Sequence, residues 1–123
     1  KMGVGDQLCQ LAWEGKVDEL QAALNNGFDP NWIGNSDYTP LHCASEFGQS
    51  KACLTLLQAG ADTEASGGRA KKTPLHLAAE NGNTGAAKVL LFFGADPDAP
   101  DAEGRRPGEA FAQGTPRRAR HAV

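Results

Sequence analysis

The sequence predicts an all-α solenoid of about three to four helix-turn-helix repeats, and three observations predict it. A Thr-Pro-Leu-His tetrad recurs, a glycine follows it at a nearly fixed distance, and a Gly-x-Asp triplet closes each unit. All three landmarks step along the chain by 33 or 34 residues. A shared period of that size marks stacked supersecondary units before any local propensity is consulted.

The register is as follows. Thr39-Pro40-Leu41-His42 returns as Thr73-Pro74-Leu75-His76, and a worn copy, Arg106-Pro107-Gly108-Glu109, follows. Gly15, Gly48 and Gly82 form the second series, and Gly27-Phe28-Asp29, Gly60-Ala61-Asp62 and Gly94-Ala95-Asp96 the third. Between the last two glycines of each unit, apolar residues fall at i, i+3, i+4: Leu20, Ala23, Leu24; Cys53, Leu56, Leu57; Ala87, Leu90, Leu91. That spacing builds an apolar stripe on a helix of about three turns, with Gly27, Gly60 or Gly94 supplying a left-handed cap. A shorter helix precedes it in each unit, with Leu8, Leu11, Ala12, then Leu41, Ala44, Ser45, then Leu75, Ala78, Ala79 facing inward. Thr-Pro suits its start, because the Thr hydroxyl caps and Pro in the first turn forfeits no needed N–H.

One step of 34 has a definite location. Glu64 to Thr73 is nine residues where Asn31 to Thr39 is eight, so the extra residue lies in the connection 65–72 and leaves the helices untouched. That connection is Gly-rich and basic, and a segment that lengthens without disturbing the core faces solvent. It reads as a contact finger.

These residues resemble the ankyrin repeat, whose pattern is Thr-Pro-Leu-His-x-Ala-Ala, Gly, an apolar helix, Gly-Ala-Asp and an extended hairpin. Leu75-His76-Leu77-Ala78-Ala79 matches it best, and the resemblance runs from about Asp6 to Ala112. It implies an ankyrin-repeat solenoid with β-hairpin fingers. The expected division is an N-terminal extension 1–4, repeats 5–37, 38–71 and 72–104, and a partial capping repeat with a basic tail at 105–123. The opening unit lacks Thr-Pro-Leu-His and the closing one has Gly108 in place of Leu. Terminal repeats with a neighbour on one side only tolerate such erosion, so both ends are expected to act as caps.

Bulk composition narrows the function classes. A chain of 123 residues has room for one domain, and 40% apolar with 22% charged residues are globular proportions. No apolar run approaches the roughly 20 residues of a membrane span, and Lys1-Met2-Gly3-Val4-Gly5 lacks the apolar core of a secretory signal. Cys9, Cys43 and Cys53 are odd in number and widely spaced, which argues against a disulfide framework or zinc site and for a reducing compartment, the cytoplasm or nucleus. Residues 1–64 carry 9 acids and 3 bases, residues 65–123 carry 6 and 9. This polarity can orient a partner without bearing on the fold.

Catalytic readings fare poorly. His42 and His76 are locked to the repeat, and the resemblance implies that they tie neighbouring backbone turns together. Neither has a Cys or His at ligand spacing. Cys43 and Cys53 sit on helices as small buried hydrophobes. Gly67 to Thr73 imitates a phosphate-binding loop, yet Lys71 stands where that loop needs glycine, and Thr73 is assigned to a helix cap. No catalytic residue, cofactor or metal is expected. Arg105, Arg106, Arg117, Arg118 and Arg120 make the C-terminal end basic, but with only Phe111 nearby a solvated tail is favoured over nucleic acid.

The expected partner is another protein or peptide, with no membrane, bound by a chain that is monomeric alone or part of a larger chain or complex. In the implied fold, fingers and short helices expose variable positions. On the fingers these include Trp32, Ile33, Asn35, Ser36 and Tyr38, then Arg69, Ala70 and Lys72, then Ala102, Glu103 and Arg105. On the short helices they are Trp13 and Glu14, Glu46 and Phe47, Glu80 and Asn81. Exposed Trp and Tyr are favoured anchors, so Trp13, Trp32, Tyr38 and Phe47 stand out. Two alternatives stay open: Trp32 and Ile33 packing between fingers, and Trp13 covering the end of the stack.

Overall fold

The computed structural model describes residues 4–34 and 37–107. Asn35, Ser36 and the expected cap and basic tail from residue 108 onward lie outside the described residues. Among the described residues six helices follow one another: α1 Val4–Glu14, α2 Val17–Asn25, α3 Pro40–Glu46, α4 Ser50–Gln58, α5 Pro74–Glu80 and α6 Thr84–Phe92. They pair as helix-turn-helix units, α1 with α2, α3 with α4, α5 with α6. The leading helices pack α1 on α3 on α5, and the trailing ones α2 on α4 on α6.

Thr39 and Thr73 start α3 and α5 through reciprocal caps. Thr39 Oγ1 accepts the His42 N–H at 3.4 Å, while the Thr39 N–H donates back to His42 Nδ1 at 3.1 Å. Thr73 and His76 repeat this at 3.3 and 3.0 Å. Two otherwise orphaned donors are satisfied at each start. The trailing helices end on glycines at φ +94° (Gly27), +100° (Gly60) and +92° (Gly94). That turn lets Phe28, Ala61 and Ala95 donate to the carbonyls of Ala23, Leu56 and Leu90 at 3.2, 3.0 and 3.0 Å, a glycine-dependent helix stop.

The leading helix is shorter in units two and three, at 7 residues against 9, but α1 runs for 11. Without Thr-Pro nothing in the sequence fixes its start, and it continues upstream. The core is continuous: Leu8, Ala12, Leu20, Leu41, Ala44, Cys53, Leu56, Leu75, Ala78, Ala87 and Leu90 are all buried. Its limits show at one repeat position. Leu57 is 6% exposed beneath unit three, whereas Leu91, its equivalent at the end, is 41% exposed.

The fingers are tight turns more than hairpins. Each carries a closing backbone bond at a corresponding position: Gly34 N–H to Tyr38 O at 3.0 Å, Gly67 N–H to Lys72 O at 2.9 Å with Lys72 N–H returning to Gly67 O at 3.0 Å, and Asp101 N–H to Arg105 O at 2.8 Å. Among the described residues only Gly67 and Lys72 form a β-bridge, an isolated antiparallel one. Closures spanning four or five residues leave no length for a ladder. The second closure is one residue longer than the others, so the extra residue sits inside that finger, where Gly68 and Lys71 take φ +74° and +53°.

Candidate protein-binding face

The binding candidates depend on how accurately adjacent units are held, and that is done by side chains reaching across. His42 leads. The Thr39 N–H can only donate, so Nδ1 accepts and the ring proton is on Nε2, which donates to the Lys72 carbonyl at 2.8 Å. His76 makes the same reach to the Arg105 carbonyl at 2.8 Å. Each imidazole thereby anchors the root of the next finger. Burial holds His42 below the ordinary histidine range, against the backbone bonds that favour its charged form.

A second set of ties fixes the far ends of the leading helices. Gln49 Nε2 donates to the Trp13 carbonyl at 2.8 Å, and Asn83 Nδ2 donates to the Ser45 and Glu46 carbonyls at 2.9 Å each. Gln49 and Asn83 precede α4 and α6 yet cap neither with their side chains. They satisfy C-terminal carbonyls of the preceding unit instead. On the finger side, Asn31 bonds the Gly60 carbonyl and the Asp62 N–H at 3.1 and 2.7 Å, and Glu64 accepts from the Asp96 N–H at 3.0 Å. Gln49 and Asn83, like Asn31 and Glu64, recur at the repeat interval, so the sequence carries a signal for these ties.

On this frame Trp13 and Phe47 come together. Trp13 ends α1 and Phe47 follows α3; their rings stack at 5.9 Å and 25°, with 43% and 57% of the residues exposed. Trp32 and Ile33 are exposed on the first finger. Tyr38 differs from the surface anchor expected: it is half-buried, packed against the core and stacked flat on His42 at 4.9 Å and 6°. Gly67 leaves room for that ring, since a Cβ there would lie 2.7 Å from Tyr38 Cδ1 and 2.5 Å from the Asp37 carbonyl.

The charged candidates divide in the same way. Glu14 is exposed, pairs with Lys16 at 3.4 Å and accepts from Gln10. Arg69 is exposed on the second finger, and Arg105 pairs with Glu103 at 3.0 Å in solvent. Lys72 and Glu80, expected as separate contacts, are half-buried and pair with each other at 2.7 Å. Glu46 and Asn81 are also half-buried, and Asn81 Nδ2 donates to the Leu77 carbonyl of its own helix at 2.8 Å. Ala102 N–H donates to the Ala70 carbonyl at 2.7 Å, which joins the second and third fingers at their tips. The third is held by Asp101, whose Oδ1 accepts from the Glu103 and Arg105 N–H groups at 2.9 Å each. Burial raises that carboxyl, but these donors with the charge of Arg105 outweigh it and leave it below its ordinary value.

Among the described residues no group of three or more His, Cys, Asp and Glu is placed to hold a metal ion. No helix among the described residues is long and apolar enough to cross a membrane. Desolvation pushes the Cys53 thiol up to about 11, with Ser45 Oγ at 3.6 Å partly offsetting it, so it is a poor nucleophile.

A family model of ankyrin repeats in three copies matches residues 8–101. The chain belongs to the ankyrin-repeat family. Ankyrin repeats are generally protein–protein interaction modules. The chain is 37% identical over 61 residues to the potassium channel KOR2 of Oryza sativa subsp. japonica, a match covering 50% of this chain and 8% of the channel. It is 35% identical over 64 residues to human GA-binding protein subunit beta-2, covering 50% of this chain and 14% of that protein. An ankyrin repeat-containing protein of Schizosaccharomyces pombe is 35% identical over 51 residues, 42% of this chain and 25% of its own length. The match thus spans a quarter or less of each of these relatives.

Proposed function

We propose that this ankyrin stack is a recognition module, an adaptor, targeting or inhibitory subunit, that holds a partner protein or peptide across its leading helices and fingers. The supporting observation is the Trp13–Phe47 stack: two large rings from different units, both about half in solvent, on helix ends fixed by Gln49 and Asn83. Core packing does not require them there, and rigid aromatic pairs bury much area on binding with little loss of side-chain freedom. Trp32 and Ile33 add exposed apolar surface on the first finger, and Glu14, Arg69 and Arg105 add exposed charge. The relative named as a subunit of GA-binding protein accords with this reading. The free cysteines fit the cytoplasm or nucleus, and catalysis plays no part in the proposal.

A second reading is an assembly segment within a larger chain, which the short matched fractions of the relatives favour. Affinity capture from extract, mass spectrometry and titration with the purified candidate separate the two. Recognition predicts a stoichiometric partner whose affinity falls at least tenfold on Trp13→Ala or Phe47→Ala with helical content unchanged. Self-association alone supports assembly, and a partner indifferent to both variants places the contact elsewhere.

A further inference from the structure

Cys9 stands at the repeat position that His42 and His76 fill in the next two units. Its Sγ lies 3.7 Å from the Tyr38 carbonyl, the counterpart of the carbonyls of Lys72 and Arg105 that the imidazoles reach at 2.8 Å. A thiol is a short side chain and a weak donor, so this tie to the finger root is weaker than the imidazole ties that follow. A second sulfur gives the junction between units one and two its own chemistry. Cys43 of α3 lies in the same core cluster as Cys9 of α1, where the two helices pack and the two side chains interact, and both thiols are free and buried. Cys9 precedes Trp13 by four residues on α1, and Cys43 precedes Phe47 by four on α3. Residues four apart share a helix face, so the sulfur pair lies one turn from the stacked rings.

We propose that Cys9 and Cys43 form a reversible thiol–disulfide site, oxidised by a hydroperoxide, whose bond between units one and two resets the Trp13–Phe47 pair. The Cys9 thiolate attacks one peroxide oxygen, the O–O bond breaks and an alcohol leaves, giving a sulfenic acid on Cys9. Cys43 sulfur then displaces the hydroxyl, which departs as water with the Cys43 proton, and the S–S bond forms. The two thiols lose two electrons and the peroxide gains them. The interaction with Cys43 holds Cys9 below the ordinary thiol range, against burial and the Asp6 charge, and correspondingly pushes Cys43 up. Cys53 bonds Ser45 instead and takes no part. Control of partner binding rests on the function proposed above; the sulfur chemistry does not.

The test uses the whole chain, treated with hydrogen peroxide, digested without reduction and mapped by mass spectrometry. A Cys9–Cys43 cross-linked peptide is expected, lost with dithiothreitol, unaffected by Cys53→Ser and abolished by Cys9→Ser or Cys43→Ala. In a Trp32→Phe background the emission of Trp13 is expected to shift on oxidation and return on reduction. Neither readout needs a partner, so this inference can fail while the binding proposal stands. Oxidation confined to single cysteines, links between molecules in place of Cys9–Cys43, or a link that leaves Trp13 emission unmoved overturns it.

Discussion

Replacing His42 by Leu keeps most of the side-chain volume and deletes every hydrogen bond that the imidazole makes. The Lys72 carbonyl loses its donor at 2.8 Å, and the Thr39 N–H and hydroxyl lose the ring nitrogen at 3.1 and 2.8 Å. Each bond is worth about 1 kcal/mol net, more where a buried partner is stranded, for a total of roughly 3 to 4 kcal/mol. The added apolar surface of Leu recovers about 1 kcal/mol. The expected loss is therefore about 2 to 3 kcal/mol, a large part of a small domain's stability. Urea unfolding followed by far-ultraviolet circular dichroism should show a midpoint lowered by roughly 1 to 2 M at unchanged slope. Hydrogen exchange adds a local readout, because the Lys72 N–H closes on the Gly67 carbonyl at 3.0 Å beside the lost anchor. A loss under about 0.5 kcal/mol, or unchanged protection at Lys72, would refute the view that His42 binds the second finger to the stack.

Protonation offers the same test in solution. Burial lowers the folded value of His42 below its unfolded value near 6.5. Its contribution is thus fully present above pH 6.5 and is lost as pH falls from there through the folded value. His42→Leu should flatten that part of the stability profile; an identical slope in both proteins would assign it to other groups. Leu57→Ala should cost about 2 to 4 kcal/mol and the equivalent Leu91→Ala roughly 1, because the first is buried and the second 41% exposed, and equal losses by chemical denaturation would contradict this. Leu90→Asp places a charge at a fully buried position and should abolish cooperative unfolding; a folded, fully helical variant would show the register to be wrong. Gly67→Ala should cost about 1 to 3 kcal/mol through its collision with the Asp37 carbonyl and Tyr38 ring, and pairing it with Tyr38→Ala should restore only the ring's share.

The helices were legible because their signals are local and repeated. Thr39-Pro40 and Thr73-Pro74 announce starts, Gly60 and Gly94 announce stops, and the apolar spacing between them leaves one inward face. Where a unit lacks its landmark the reading failed in proportion, as with α1, longer than its counterparts. The surface was harder. Trp13 and Phe47 could be named as exposed aromatics, but their stacking depends on a diagonal approach between units that a within-unit register does not contain. Tyr38 and the Lys72–Glu80 pair show the converse. Each is solvent-facing by the repeat pattern, and each is partly covered by a contact inside its own unit, Tyr38 on His42 and Lys72 on Glu80, that the apolar spacing does not register.

The extra residue of the second finger has a practical meaning. Gly67 and Lys72 exchange both backbone bonds, at 2.9 and 3.0 Å, so the four residues between them hang from a closed clasp. Of these, Ala70 bonds outward through its carbonyl to the third finger. Such a clasp is a socket: residues 68–71 can be exchanged as a cassette, and lengthened once already relative to the neighbouring fingers, while the helices below keep their register. Specificity could then be rewritten at one tip without redesigning the scaffold that carries it.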